Sequence, residues 1–188
     1  MVDYEKLLRI GKDLLIAIGE NPEREGIKDT PRRFASYWKE FIERDNGNID
    51  VDFDLIETGQ LVVVSGIKVW SICEHHLLPF WCDVSIGYIP EARLLGLSKF
   101  ARIAHQFAHK PQIQERLVHE IADEISRVTG TNNVIVMATG EHLCMKMRGV
   151  RSSGQMTTVS AQGALGKDPL MRAEFMRIVS QNSRVQAP

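Results

Sequence analysis

The chain has 188 residues, enough for one ordinary domain with an appended element and for burial of about 70% of its unfolded surface, so no covalent staple is needed. Lys and Arg number 23 against 24 Asp and Glu, a balance without the footprint of a nucleic-acid binder, which confines any anion site to a local patch. Three cysteines without paired spacing and a charged start, Met1-Val2-Asp3-Tyr4-Glu5-Lys6, argue against a disulfide framework or a signal peptide. A soluble, cytoplasmic protein in reducing surroundings is expected. No membrane span is expected, because the most apolar stretch, Leu61 to Val64, is only strand-sized.

Residues 4 to 19 place Tyr4, Leu7, Leu8, Leu14, Leu15 and Ile18 at helical intervals. Asn21-Pro22 and Gly26 interrupt that helix, and Thr30-Pro31 starts a second one, with Thr30 as hydroxyl cap and proline at the first position. Phe34, Tyr37, Trp38, Phe41 and Ile42 form its face before Gly47. The pair reads as a helical docking arm, residues 1–50. From residue 60 the period changes. Leu61 to Val64, Val69 to Ile72 and Val84 to Ile89 predict strands, the last stopped by Pro90. Ser98 is the expected cap of a helix carrying Phe100, Ile103, Ala104 and Phe107, stopped by Pro111. A further helix aligns Ile113, Leu117, Ile121, Ile125 and Val128 before Gly130. Val134 to Ala138 predicts a strand, and Leu143 to Val150 is expected to complete a hairpin with it. Asp168-Pro169 opens a last helix along Leu170, Phe175 and Ile178. The expected core is hairpin, two helices, hairpin, an α+β domain over residues 51–180, followed by a polar, frayed tail at 181–188.

Chemistry concentrates in two places. Cys73-Glu74-His75-His76 and His142-Leu143-Cys144 supply two thiols and an imidazole for a three-ligand zinc site, which leaves one tetrahedral position for water. The spare imidazoles, His75 and His142, suit proton transfer beside a metal-activated water. Two buried core cysteines with unrelated histidines are the alternative. His105 and His109 share a helix face, but a zinc protease would need a glutamate where Gln106 stands.

Gly96-Leu97-Ser98-Lys99-Phe100-Ala101-Arg102 puts a hydroxyl and two cations at a helix start, a polyphosphate cradle or an ordinary capped helix. Arg148 and Arg151 add charge beyond Cys144. Gln114-Glu115-Arg116 begins a helix, where Gln114 and Glu115 either read a guanine edge or form a generic polar first turn.

With these segments in order, the sequence closely resembles the GTP cyclohydrolase I family from about Tyr4 to Val179. The likeness is carried by Ser71-Ile72-Cys73-Glu74-His75-His76, Gly96-Leu97-Ser98-Lys99, Gln112-Ile113-Gln114-Glu115-Arg116-Leu117 and His142-Leu143-Cys144-Met145-Lys146-Met147-Arg148-Gly149. The resemblance implies the tunnelling fold, ββ-αα-ββ units closing into a pentameric barrel, with two pentamers stacked as a toroidal homodecamer. It implies one Zn2+ per subunit on Cys73, His76 and Cys144, and proton transfer by His75 and His142. It assigns Glu115, with Gln114 beside it, to guanine, and Ser98, Lys99, Arg102 and Arg148 to the triphosphate and ribose. Arg33 matches an arginine that reaches a neighbouring subunit's site. The implied reaction is hydrolytic opening of the imidazole ring of GTP, release of formate and rearrangement to 7,8-dihydroneopterin triphosphate. His142, assisted by Ser98, would protonate the departing nitrogen. Two other readings stand beside it: a related tunnelling-fold enzyme of pterin or deazaguanine metabolism, and a non-catalytic zinc-stabilised assembly subunit.

Two segments depart from expectation. Phe80-Trp81-Cys82-Asp83 is bulky where a small turn is expected, which makes Cys82 a fourth ligand, an oxidation-prone thiol or, the favoured reading, a core cysteine at a strand edge. Gln162 and Leu165 stand where the family more often has a leucine and an aromatic, which bears on subunit packing and on docking of the last helix.

Overall fold

The computed structural model describes residues 1–45, 47–49, 52–54, 59–91 and 93–185. Two compact units, Met1–Asp45 and Asn46–Pro188, make up the chain. In the first, α1 (Tyr4–Ala17) is capped by Asp3, whose carboxylate accepts the Lys6 N–H at 2.9 Å. It packs on α2 (Thr30–Ile42), with Leu15 and Ala35 buried between them and the Tyr4 hydroxyl 3.1 Å from Ser36 Oγ. Thr30 is the first residue of α2 and not its cap; Asp29 precedes the helix, without a side-chain capping bond, and α2 ends at Ile42, before Gly47. Leu14, Ile16 and Ile18 stay exposed.

The second unit opens with β1 (Asp52–Asp54), which pairs antiparallel with β4 (Arg93–Leu95). The main sheet contains β2 (Val62–Cys73), β3 (Pro79–Tyr88), β5 (Pro111–Gln112), β6 (Val134–His142) and β7 (Met156–Ala161), in the order β5-β2-β3-β6-β7. Among the described residues only the short β2–β5 pairing is parallel. The two predicted strands at 61–72 are one strand. Gly66, at φ +76, sits in a register shift between Val64 and Ile67, so the strand bends there without stopping.

Helices α3 (Leu97–Ala108) and α4 (Gln114–Thr129) cover one face of this sheet. The alternation of β3 sends Phe80, Cys82, Val84, Ile86 and Tyr88 to that side, where they meet Ile103 and Ala104 of α3 and Leu117, Ile121 and Ile125 of α4. Each such aliphatic side chain, wholly withdrawn from water, contributes about 1.5–3 kcal/mol relative to exposure. On the opposite face Ile135 packs with Leu165, Phe175 and Val179 from α6 (Gly163–Lys167) and α7 (Pro169–Val185).

Several expectations are corrected here. Residues 143–150 do not form the second strand of the last hairpin: α5 (Leu143–Lys146) is a single helical turn, and β7 takes that place. The α3 cap is Gly96, so Ser98 lies inside the first turn. Phe80-Trp81-Cys82-Asp83 lies within β3, between β2 and β6 and not at an edge; the tight turn is at 74–77 instead. Cys82 is fully buried, and burial, helped by the neighbouring Asp83 charge, pushes its thiol up to about 12, which suits a core residue rather than a reactive one. The last helix continues through Val185 where a frayed tail is expected from residue 181; residues 186–188 lie outside the described residues. Leu170 is 80% exposed and not part of that helix's packed face. The two departures at 162 and 165 are accommodated locally, since Leu165 is fully buried and Gln162 Nε2 donates to Asp123 Oδ1 at 2.7 Å.

Candidate active site

One end of the main sheet collects the chemistry. Antiparallel pairing brings the last residues of β2 and β6 beside the first residues of β3, so Cys73, Phe80 and His142 lie on adjacent strands. Beyond Cys73 the chain turns tightly: the Leu77 N–H donates to the Cys73 carbonyl at 2.8 Å and the Cys73 N–H to the Leu78 carbonyl at 2.9 Å, with Leu77 at φ +52. That turn folds His76 back towards Cys73, leaving Sγ and Nδ1 3.7 Å apart. Immediately after His142, α5 returns Cys144 to the same place. One donor atom each from Cys73, His76 and Cys144 lies within 4.8 Å of the others.

This donor set fits a zinc ion. Burial first, then the neighbouring Cys73 charge and a hydrogen bond with Cys73, raise the Cys144 thiol, while Arg148 pulls it the other way. A cation lying between the two sulfurs favours their thiolate form, and thiolate with imidazole is the ligand chemistry of zinc.

Around the trio the sequence-predicted residues divide. His75 is largely exposed, with its Nδ1 3.9 Å from Cys73 Sγ. His142 stacks on Phe80, rings 4.5 Å apart and 7° from parallel, and its Nε2 is 2.9 Å from Gln114 Oε1. Burial holds the His142 pKa below the ordinary histidine value, partly offset by the Glu115 carboxylate. Glu115 is exposed and lines a pocket of about 350 Å³ with Val118, His119 of α4 and Thr158, Val159, Ser160 of β7. Gln114, expected beside Glu115 at a guanine edge, instead points inward: it is 1% exposed and its carboxamide is fully engaged within the protein.

Ser98 is exposed on the first turn of α3. Lys99 is buried and donates through Nζ to the Asn48 carbonyl, which also accepts from Arg102 Nη1 at 2.9 Å. Two cations on one neutral carbonyl keep positive charge at the start of α3. Arg148 is exposed just past α5. Arg33 belongs to the first unit, on α2, 3.8 Å from Asp29.

Sequence reasoning missed the residues that hold the ligand turn. Glu74, between Cys73 and the two histidines, forms an ion pair with Arg116, whose Nε donates to Gln112 Oε1 at 2.8 Å. Gln112 is fully buried and donates onward to Glu120 Oε2 at 2.8 Å and to the Phe107 carbonyl at 3.1 Å. Its wholly polar side chain at a buried position has no period in the sequence to announce it.

Fold and site together define a class: an α+β protein able to hold a soft metal ion between two thiols and an imidazole, with further imidazoles at its rim. Comparison with known proteins narrows the class. The profile of the GTP cyclohydrolase I family matches residues 9–180, and the chain belongs to that family. GTP cyclohydrolase 1 of Hyperthermus butylicus is 41% identical over 188 residues, 99% of this chain and 97% of the relative. The protein of the same name from Aquifex aeolicus is 44% identical over 179 residues, 95% of this chain and 97% of its own length. The apo structure of archaeosine synthase QueF-Like aligns over 55% of this chain and 96% of its own with a TM-score of 0.45 and 15% identity, a likeness too slight to argue from. Among the described residues no helix is long and apolar enough to cross a membrane.

Proposed function

We propose that the protein is a zinc-dependent GTP cyclohydrolase I, which opens the imidazole ring of GTP, releases formate and forms 7,8-dihydroneopterin triphosphate. The observation that carries this reading is the convergence of Cys73, His76 and Cys144 next to His142, on which the Glu115 carboxylate acts while it also borders a pocket lined by α4 and β7. Cys73, His76 and Cys144 would hold the zinc, which when bound supplies Lewis-acid activation of the attacking water. Glu115 offers two acceptor oxygens to the N1–H and amino group of guanine. Lys99, Arg102 and Arg148 receive the triphosphate, since charge-assisted bonds to phosphate are stronger than the bonds that two of them now make to a carbonyl. Ser98 adds a hydroxyl donor at the same helix start. His142 gives a proton to the departing ring nitrogen, and His75, exposed at the rim, exchanges protons with solvent.

The tunnelling fold and toroidal homodecamer follow as part of the same proposal, with residues 1–50 as a docking arm, residues 51–180 as the catalytic domain and Arg33 completing a neighbour's site. The exposed apolar residues Leu14, Ile16 and Ile18 of the arm, and Trp70 and Val159 on the sheet, are surfaces suited to such packing. The reading places the protein in the cytoplasm.

Incubation of the zinc-loaded protein with GTP should release one formate per GTP and, after oxidation, a fluorescent neopterin. A non-catalytic assembly subunit would keep its metal and release none. Sedimentation should give a species near ten subunits; a fully active monomer at assay concentration would contradict the shared site.

A further inference from the structure

Gln114 is the first residue of α4 and is buried. One end of its carboxamide lies 2.9 Å from the Ala138 carbonyl, 2.9 Å from the Met156 carbonyl and 3.2 Å from Thr158 Oγ1. The other end lies 2.9 Å from His142 Nε2. Main-chain carbonyls only accept hydrogen bonds, so the end that meets two of them is the NH2 group. The end facing His142 is then the carbonyl oxygen, which also only accepts. Nε2 must therefore carry a hydrogen, and in a neutral imidazole the lone pair is left on Nδ1.

We infer that Gln114 is a positioning residue that fixes His142 as the Nε2–H tautomer, so that His142 exchanges protons with the substrate through Nδ1. The surroundings are built for this. Phe80 stacks flat on the ring, and a half-turn about the Cβ–Cγ bond would put carbon where Nε2 meets the amide. Gly140, two residues before His142, makes the room: a Cβ there would collide with the Trp81 carbonyl and Cys82 Sγ and would stand 3.1 Å from Gln114 Oε1. The carboxamide thus ties two points of β6, the Ala138 carbonyl and the His142 imidazole, to β7, all 24 to 44 residues from it in sequence.

This inference rests on the reading of His142 as a proton-transfer group and sharpens it. The test uses full-length, zinc-loaded protein labelled with 15N-histidine and solid-state NMR at pH 8.5, with the His142 signals identified by their absence in His142→Ala. The expected result is a protonated Nε2 and a bare Nδ1. Gln114→Met, of similar length but without the amide, should give a mixture of tautomers. Its kcat should fall on the order of 10- to 100-fold, as for other residues that orient an active imidazole, with KM for GTP and zinc content unchanged. A bare Nε2 in the unsubstituted protein overturns the inference, as does a Gln114→Met enzyme with wild-type kcat. A loss confined to KM overturns it too, since that would make Gln114 a substrate contact. If Gln114→Met does not fold, the tautomer of the unsubstituted protein decides alone. Absence of formate release with Nε2–H in place would sink the cyclohydrolase reading instead and leave the tautomer assignment standing.

Discussion

Cys144→Ala is expected to lose its zinc and essentially all turnover. The trio has two thiols and one imidazole within 4.8 Å, and removing one thiol leaves two protein ligands, too few for the three that catalytic zinc sites keep. Water unassisted by a metal has a pKa near 15.7, against about 7 on zinc, so the supply of attacking hydroxide falls by many orders of magnitude. The fold should survive, because Cys144 is only partly buried on a one-turn helix and its side chain carries little of the core. Metal analysis, circular dichroism and formate release measured on one preparation check all three statements. Full zinc with normal formate release would remove Cys144 from the ligand set.

His142→Ala should separate chemistry from binding. The side chain stacks on Phe80 and meets Gln114, but its donor atoms are not among the three that converge for metal. Zinc and assembly should therefore be retained while turnover falls about 10²- to 10⁴-fold, the usual contribution of a positioned acid–base group. GTP affinity should change less than kcat. A ring-opened, formylated intermediate should accumulate as formate release stalls, visible when quenched reactions are separated by chromatography. Loss of zinc in this variant would make His142 a ligand or a support for one. Wild-type turnover would shift the proton route to His75.

Much of this organisation was legible in the residues, and the reasons differ by element. Helix α4 could be read because Leu117, Ile121 and Ile125 repeat at four residues and Gly130, at φ +73, closes the helix in the left-handed region. The order hairpin, two helices, hairpin could be read from the change of period. Its last strand was misplaced because β7 is an edge strand with partly exposed residues, whose Thr157, Thr158 and Ser160 supply little apolar signal, whereas Leu143, Met145 and Met147 imitate alternation. The turn after Cys73 was missed because it contains neither glycine nor proline. Its shape comes from carbonyls folding back on N–H groups and from a leucine at positive φ. Metal ligands announce themselves by residue type and spacing. The residues that hold the ligand turn, Gln112 and Arg116, and the one that meets His142, Gln114, act through contacts across long stretches of sequence, which no local pattern records.

The chain of polar contacts from Glu74 through Arg116 and Gln112 to Glu120 bears on how the metal arrives. It moors the ligand turn to α4, and the Glu74 N–H bond to the Gln112 carbonyl, at 3.1 Å, adds a main-chain anchor. Cys73 and His76 are thereby set in place by the protein's own framework, so little ordering entropy remains to be lost when the ion enters. Under the proposed function, zinc uptake would be capture by a prepared nest and not the folding event seen in small zinc-finger domains. A chelator would silence the enzyme without unravelling it, and the same polypeptide could be recharged.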